Sequence, residues 1–197
     1  MITKIVNGET KSLKNPEYVT IFHQLLESNL PPIDKTPIRL GEEGRAVIAA
    51  GIETTAWALT VTTFHILSNP SVLKTLRNEL EVAMPDALAQ PQAVVLEQLP
   101  YLSACIREGI RLARGVTSRL PRISPDRPIR YGEWIIPAGV PVSMTTVDVA
   151  VDENIFPNSR DFVPERWLDN PKTKEGESLN RYFVQFSKGS RACLGIK

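Results

Sequence analysis

The sequence contains few of the residues that bind metals or cross-link chains. Its 197 residues include only two cysteines and two histidines, His23 and His65. Two cysteines far apart in a chain do not form a disulfide framework, and they favour a reducing compartment. A zinc site needs four ligands of this kind, which the chain can hardly supply. We therefore expect both histidines to pack or to cap helices.

The sequence also lacks a charge imbalance and an apolar N-terminus. Its formal net charge is +1, so we expect no nucleic-acid partner. The opening segment MITKIVNGETKSLKN is polar and has no apolar core of a signal peptide or membrane anchor. We expect no targeting or transmembrane segment in this chain, which by itself would be cytoplasmic or of unknown location.

Proline is unevenly distributed, and its distribution predicts the fold class. Between Pro32 and Pro100 prolines are sparse and apolar residues recur at helical spacing. From Pro121 to Pro171 prolines recur every few residues, which indicates turns, short strands and coil. The sequence predicts one domain, or a large piece of one, that is mainly α with small β elements. Helices are expected within residues 20–32, 46–67, 68–84, 96–115 and 145–158, and short strands within 127–146.

The longest apolar segment, AVIAAGIETTAWALTVTTFHIL, is long enough to raise the question of a membrane span. It carries Glu53 in its middle, and Arg45 precedes it. An ionisable group at membrane depth is costly without a functional reason. We therefore predict a long core helix, with a membrane helix as the alternative.

One of the two cysteines lies in a loop bracketed by glycines, FSKGSRACLG. Gly189 and Gly195 allow positive φ and close backbone approach around Cys193. Lys188 and Arg191 add positive charge, and a helix opening after Cys193 would favour an anion there. These features predict a thiolate. The alternative is a small buried hydrophobic residue, the common fate of a free cysteine and the one expected for Cys105.

A thiolate is either a nucleophile or a metal ligand. A cysteine hydrolase needs a histidine base, and neither histidine has a persuasive setting. A phosphatase-type loop needs an arginine several residues after its cysteine, and none follows Cys193 in this sequence. A single thiolate binds iron when another scaffold supplies the remaining ligands, as haem does.

Four motifs give the sequence a specific resemblance. Five spaced residues match the haem-binding signature of the cytochrome P-450 superfamily: Phe186, Gly189, Arg191, Cys193 and Gly195. AGIETT, EGIR and PERW occur in that family's order. The sequence around these motifs is most similar to the fungal branch that includes trichodiene oxygenase. The resemblance implies a partial cytochrome P-450 fold over residues 1–197, with haem b bound by Cys193 as axial thiolate. Because family members are longer, we expect a fragment without the N-terminal half and without the end that follows the cysteine loop.

The resemblance assigns catalytic roles to residues of AGIETT. It implies that Thr54 supplies a hydroxyl that hydrogen-bonds the reacting oxygen, and that Glu53 is the acid that relays protons to it. Ala50 and Gly51 would be small because the cofactor or substrate passes close to them. The helix is expected to open locally here. The alternative is a weak helical turn that is merely tolerated.

EGIR and PERW imply a structural role. Glu108 and Arg111 stand three residues apart and so share a helix face. By resemblance they form a buried network with Arg166, which holds the coil that carries the cysteine loop. A surface ion pair is the alternative.

Arginines after EGIR are candidates for the haem propionates. The resemblance favours Arg122, with Arg119 second, and Arg191 within the cysteine signature. A solvated side chain is the alternative for each. The family commonly has a proline shortly after the EGIR arginine, and RLARGV has none, which predicts a local change in pocket shape.

The resemblance implies a haem-thiolate monooxygenase that inserts one oxygen atom into a hydrophobic, terpenoid-like organic substrate. Its partners would be dioxygen and an NADPH-cytochrome reductase. Full-length relatives are expected at the endoplasmic reticulum membrane, held by an anchor absent from this chain. The main alternative is a truncated, non-catalytic remnant that binds haem poorly or not at all. A haem-thiolate isomerase or peroxide-using enzyme is a third possibility.

Overall fold

The computed structural model describes residues 20–86 and 90–196. It is mostly helical with one two-stranded sheet, which confirms the predicted mainly α fold with small β elements. The helices are α1 (Ile21–Glu27), α2 (Pro37–Ser68), α3 (Pro70–Ala83), α4 (Ala93–Glu97), α5 (Pro100–Ala113) and α6 (Thr146–Ala150), and the strands are β1 (Ile129–Tyr131) and β2 (Trp134–Ile136). Short 3₁₀ helices span Pro32–Lys35, Pro164–Trp167, Leu179–Tyr182, Gly189–Arg191 and Leu194–Ile196.

Two compact units divide the chain between Glu53 and Thr54. The single domain expected over residues 1–197 stays a prediction, and the polar N-terminal segment lies outside the described residues. In the first unit, Phe22 of α1 lies against Gly44 of α2, where an added Cβ would be 2.7 Å from the ring. The ammonium group of Lys35 donates to the carbonyl of Leu26, 2.9 Å away, and so caps the end of α1. His23 accepts from the backbone N–H of Thr20 at 3.0 Å, which is a capping role.

α2 is one unbroken α-helix through AGIETT. The local opening expected at residues 50–55 is not present in this structure. Threonine and an interior glycine each cost less than about 1 kcal/mol relative to alanine. Helix propagation is cooperative, so long helical flanks on both sides carry such weak residues.

Most of α2 is exposed, which differs from the predicted core helix. Only Leu40 and Gly44 are buried in it, whereas its large apolar side chains reach the surface, among them Ile48, Ile52, Leu59, Phe64 and Leu67. Of the helices in the described residues, α2 alone is long and apolar enough to cross a membrane, judged by length and composition. Its sequence predicts an apolar environment but does not specify which surface provides it.

The core of the second unit forms where α3 meets α5. Its main cluster consists of Val72, Leu76, Tyr101, Cys105 and Phe162. Asn69 caps the N-terminus of α3, because its side chain accepts from the N–H of Val72, and Pro70 occupies the first turn. The Glu79 carboxylate of α3 accepts from the backbone N–H groups of Tyr101 and Leu102, both at 2.8 Å. This carboxylate caps α5 where the sequence offers no local cap.

The proline-rich segment after α5 is shaped by turns. β1 and β2 pair antiparallel, with Ile129 opposite Ile136, and Gly132 has the positive φ that their tight connection requires. A second, smaller cluster of buried residues contains Ala104, Phe156, Trp167 and Leu179. Because Ala104 belongs to α5, that helix contributes to both clusters and organises the unit.

α2 and α5 approach each other closely at Gly109, inside EGIR. A Cβ built on Gly109 would stand 1.9 Å from Oγ1 and 2.6 Å from Cβ of Thr62 in α2. Rotation of the threonine side chain moves Oγ1 but not Cβ, so a change of rotamer cannot relieve the contact at 2.6 Å. Gly109 is therefore the residue that lets the two helices meet.

We expect Gly109→Ala to destabilise the chain by about 1–3 kcal/mol, because overpacking forces the helices apart. Gly51→Ala is the matched control: nothing lies within 4 Å of its Cβ position. That change should stabilise α2 by about 0.5–1 kcal/mol through helix propensity. Urea unfolding followed by circular dichroism measures both. Equal effects of the two substitutions would show that the contact with Thr62 carries no cost.

Candidate functional site

A carboxylate buried completely in α5 is the centre of the most connected cluster in the structure. Glu108 and Arg111 have no exposed side-chain surface. Arg111 binds the carboxylate with two hydrogen bonds, from Nε to Oε2 at 2.9 Å and from Nη2 to Oε1 at 2.8 Å. This planar two-point geometry is the strong form of an ion pair. The pair is buried, so the alternative of a surface ion pair does not apply.

Three further donors complete the shell of Glu108. Arg166 donates from Nε to Oε1 at 2.9 Å, and Trp167 donates from Nε1 to Oε2, also at 2.9 Å. The backbone N–H of Val163 donates to Oε1 at 3.0 Å. The structure thus brings Glu108, Arg111 and Arg166 together, and it adds Trp167. Trp167 is not among the site residues predicted from the sequence, although it directly follows Arg166 in PERW.

The remaining N–H groups of the two arginines bind backbone carbonyls. Arg111 donates to Ala150, Ser159 and Asp161 at 2.7, 2.6 and 3.2 Å. Arg166 donates to Pro157 and Asn158 at 2.9 and 3.2 Å. These carbonyls belong to a segment with little regular structure of its own. The network therefore fixes residues 150–167 against α5, which an arginine does better than a lysine because its donors form a rigid fork.

The charge state of the network follows from its donors. Burial by itself would raise the pKa of Glu108, but the hydrogen bond and charge of Arg111, together with Arg166, lower its pKa below the ordinary value of 4.5. His65 stacks on Phe162 with ring centroids 5.1 Å apart. Its burial lowers the pKa of His65 below 6.5. Both lowered pKa values therefore make the folded state less stable in acid than at neutral pH.

Aromatic rings lead from the network to the cysteine loop. Trp167 lies edge-on to Phe183 with centroids 5.5 Å apart, and Phe183 lies 6.1 Å from Phe186. Phe156 flanks Trp167 on the other side at 5.8 Å. Contacts of this kind add roughly 0.5–1.5 kcal/mol each beyond the burial of area. Phe186, the first residue of the cysteine signature, is thus the last aromatic ring in this series of contacts.

The cysteine loop is held by its own backbone. The N–H of Cys193 donates to the carbonyl of Phe186 at 2.8 Å, and the N–H of Ser187 donates to that of Val184 at the same distance. Ser187 and Gly189 both have positive φ, 59° and 76°, so the chain reverses sharply there. Gly189 is the position where glycine is required.

Cys193 is exposed, whereas Cys105 is fully buried. The alternative of a buried hydrophobic Cys193 is therefore wrong for this structure, and the predicted core role of Cys105 is correct. Burial raises the pKa of Cys105 to about 12, which keeps it protonated. An added Cβ at Gly195 would stand 3.8 Å from the Cys193 sulfur, so this glycine leaves one side of the sulfur open. The helix predicted after Cys193 is a 3₁₀ turn over the described residues Leu194–Ile196.

The other predicted site residues lie elsewhere. Ala50, Gly51, Glu53 and Thr54 are exposed on α2. Arg122 pairs with Val142 in an isolated β-bridge, and its guanidinium donates to the carbonyl of Pro121 at 3.2 Å. Arg119 and Arg191 are exposed. None of these residues belongs to the network around Glu108.

The donor set suits a metal whose other ligands come from outside the protein. Within residues 20–86 and 90–196, no group of three His, Cys, Asp or Glu side chains could hold a metal ion. The loop presents one free, exposed thiol with a glycine beside its sulfur. Haem iron needs one axial protein ligand, because the porphyrin supplies four nitrogen atoms. The residues present therefore fit haem.

Comparisons with known proteins give one consistent family. The family model for Cytochrome P450 matches residues 39–197. The chain is 55% identical over 186 residues to cytochrome P450 monooxygenase sdnE of Sordaria araneosa, covering 94% of this chain and 36% of that protein. It is 53% identical over 177 residues to cytochrome P450 monooxygenase MO6277 of Ascocoryne sarcoides, with 90% and 34% covered. It is 44% identical over 185 residues to N-acetyltryptophan 6-hydroxylase ivoC of Emericella nidulans, with 93% and 36% covered. The chain thus spans about a third of the length of these relatives.

We expect Arg111→Leu to lower the free energy of unfolding by about 3–5 kcal/mol, because it leaves a buried carboxylate without its main partner. Arg181→Leu is the matched control: this arginine pairs with Glu177 at 2.7 Å but is 68% exposed. Its loss should cost less than about 1 kcal/mol. Urea unfolding of both variants makes the comparison. Similar losses would contradict the central place of Glu108 and Arg111.

We expect stability to fall in acid in two steps. Both lowered pKa values mean that the unfolded chain binds more protons than the folded chain at acid pH, so stability is lost as pH falls. The loss of stability that His65 causes begins below about pH 6.5, and the loss that Glu108 causes begins below about pH 4.5. Hydrogen bonds from Ser159 and Asn158 also lower the pKa of the Glu153 carboxylate. Glu108→Gln should therefore reduce the second decline without abolishing it and keep the first, measured by urea unfolding at a series of pH values. An unchanged decline below pH 4.5 in that variant would contradict the lowered pKa of Glu108.

Proposed function

The chain belongs to the cytochrome P450 family, and we propose that it serves as a haem-thiolate monooxygenase, inserting one atom of dioxygen into an organic substrate. The observation that carries the proposal is the exposed thiol of Cys193, held in a hydrogen-bonded loop that turns at Gly189. The names of the relatives support the reaction class, and the donor set supports the cofactor.

Cys193 would hold the iron of haem b through its thiolate. When bound, the haem supplies the iron chemistry that activates dioxygen. Phe186 anchors the start of the loop, because its carbonyl accepts from the N–H of Cys193. Gly195 leaves room beside the sulfur. Arg191 and Arg122 are our candidates for pairing with the propionates, a role that suits the planar guanidinium.

Proton delivery is the role we assign to Glu53 and Thr54. Oxygen activation consumes protons, and a positioned acid with a hydroxyl beside it can supply them. The Thr54 hydroxyl would give up its proton to this chemistry, and Glu53 would return a proton to Thr54 Oγ1. Ala50 and Gly51 have the smallest side chains in the first half of AGIETT. They would leave space along this face of α2.

Glu108, Arg111 and Arg166 have a structural role in this proposal. Their hydrogen bonds hold residues 150–167, and Trp167 connects that segment to the rings that precede the cysteine loop. A loop fixed in this way presents its thiol in one geometry, and preorganised ligands bind metals more tightly than mobile ones. These residues do not contact the reacting atoms.

The substrate we propose is a small hydrophobic organic molecule. One relative is named a hydroxylase of N-acetyltryptophan, which adds an aromatic class to the terpenoid-like class expected from the sequence. Electrons would come from an NADPH-cytochrome reductase. Location at the endoplasmic reticulum membrane stays a prediction for full-length relatives.

A non-catalytic chain that holds haem poorly is the second candidate function. The observation that favours it is the exposure of apolar side chains on α2, including Ile52 at 63% and Phe64 at 64%. Exposed apolar surface of this extent favours association or aggregation over a defined pocket.

The carbon monoxide difference spectrum of the chain, supplied with haemin and reduced with dithionite, tests the proposal. We expect a red-shifted Soret band that is lost in Cys193→Ala and retained in Cys105→Ala, because the buried thiol of Cys105 cannot reach a ligand. A band that persists in Cys193→Ala would rule out Cys193 as the ligand. Absence of the band from the unsubstituted chain would favour the non-catalytic candidate.

A further inference from the structure

Arg107 stands beside Glu108 on α5 but takes no part in the buried network. Its guanidinium carbon lies 5.8 Å from the ring centroid of Trp167 and 5.9 Å from that of Phe183. Nη1 donates to Oδ1 of Asn180 at 2.5 Å. One half-buried cation thus contacts two aromatic rings and a side-chain carbonyl, the ring of Trp167 at the end of PERW and two groups on the segment that follows it.

These contacts converge on the 3₁₀ helix Leu179–Tyr182, directly before the cysteine loop. Asn180 belongs to this short helix, and Phe183 is the residue after it. Lys188, inside the loop, donates from Nζ to the carbonyl of Arg181 in the same helix at 2.6 Å. The hydrogen bond of Lys188 therefore links the loop to the short helix.

A second connection runs through the rings. Phe183 contacts Phe186 at 6.1 Å, and the carbonyl of Phe186 accepts from the N–H of Cys193 at 2.8 Å. Phe183 therefore connects Arg107 of α5 to the backbone that carries the Cys193 thiol. A short 3₁₀ helix has little stability of its own, so its position depends on such contacts.

We propose that Arg107 is a positioning residue for the Cys193 thiol. It braces the short helix through Asn180 and holds Phe183 through a cation–π contact, in addition to the network of Glu108. The proposal rests on the proposed function in one respect, that the fixed thiol is the iron ligand. The bracing itself concerns the chain without haem.

The experiment is amide hydrogen exchange of the chain without haem, read by peptide for residues 183–193 and for α3. Arg107→Met keeps the apolar stem and removes the charge and the donors. We expect exchange in residues 183–193 to become about three- to tenfold faster, the factor for loss of a cation–π contact of about 0.7–1.4 kcal/mol. Exchange in α3 should not change. Arg77→Met, at an exposed position of α3, is the matched control.

Arg107→Lys separates bracing by charge from general packing. Lysine retains a cation and a donor, so it should restore at least half of the lost protection on a logarithmic scale. The proposal is overturned if Arg107→Met leaves residues 183–193 unchanged, if it speeds exchange in α3 equally, or if lysine behaves as methionine does. Because no haem is present, a failure of haem binding would affect the proposed function and not this result.

Discussion

The burial of one carboxylate organises the second unit of this protein. An ionised group removed from water costs several kcal/mol unless it is paired and fully hydrogen-bonded. Glu108 meets that requirement with five donors, two of them from Arg111 and the others from Arg166, Trp167 and Val163. Because three of those donors lie in residues 163–167, this segment can take only a position that brings all of them to α5. The irregular part of the chain is thereby given a defined path.

The position of the cysteine loop depends indirectly on the path of residues 150–167. Trp167 donates to Glu108 and also contacts Phe183, whose ring contacts Phe186. Polar groups thus define the position of residues 150–167, and aromatic packing carries the constraint onward to the residue that begins the loop. The loop contributes its own hydrogen bonds, so its shape is local while its position is set from outside.

The two cysteines illustrate how position determines chemistry. Cys105 is packed among apolar side chains of α3 and α5, and its raised pKa makes it inert. Cys193 is exposed in a turn where glycines allow open space at the sulfur. Motif matching makes Cys193 the ligand candidate, and that role stays a prediction, whereas its exposure shows only that the sulfur is accessible. α2 shows the opposite relation, since its apolar sequence suggested burial and the described residues leave it exposed.

By itself the sequence determined most of the helices, the fold class and the residues of each motif, because periodicity and spacing are local properties of a chain. Tertiary structure decided which distant groups form hydrogen bonds with the residues of those motifs. The carbonyls that bind Arg111 are 39–50 residues away, and the carboxylate that caps α5 comes from α3. The need for glycine at position 109 becomes visible only when Thr62 lies against it. Such contacts leave no pattern in the sequence, because any backbone carbonyl can accept a hydrogen bond wherever the fold places it.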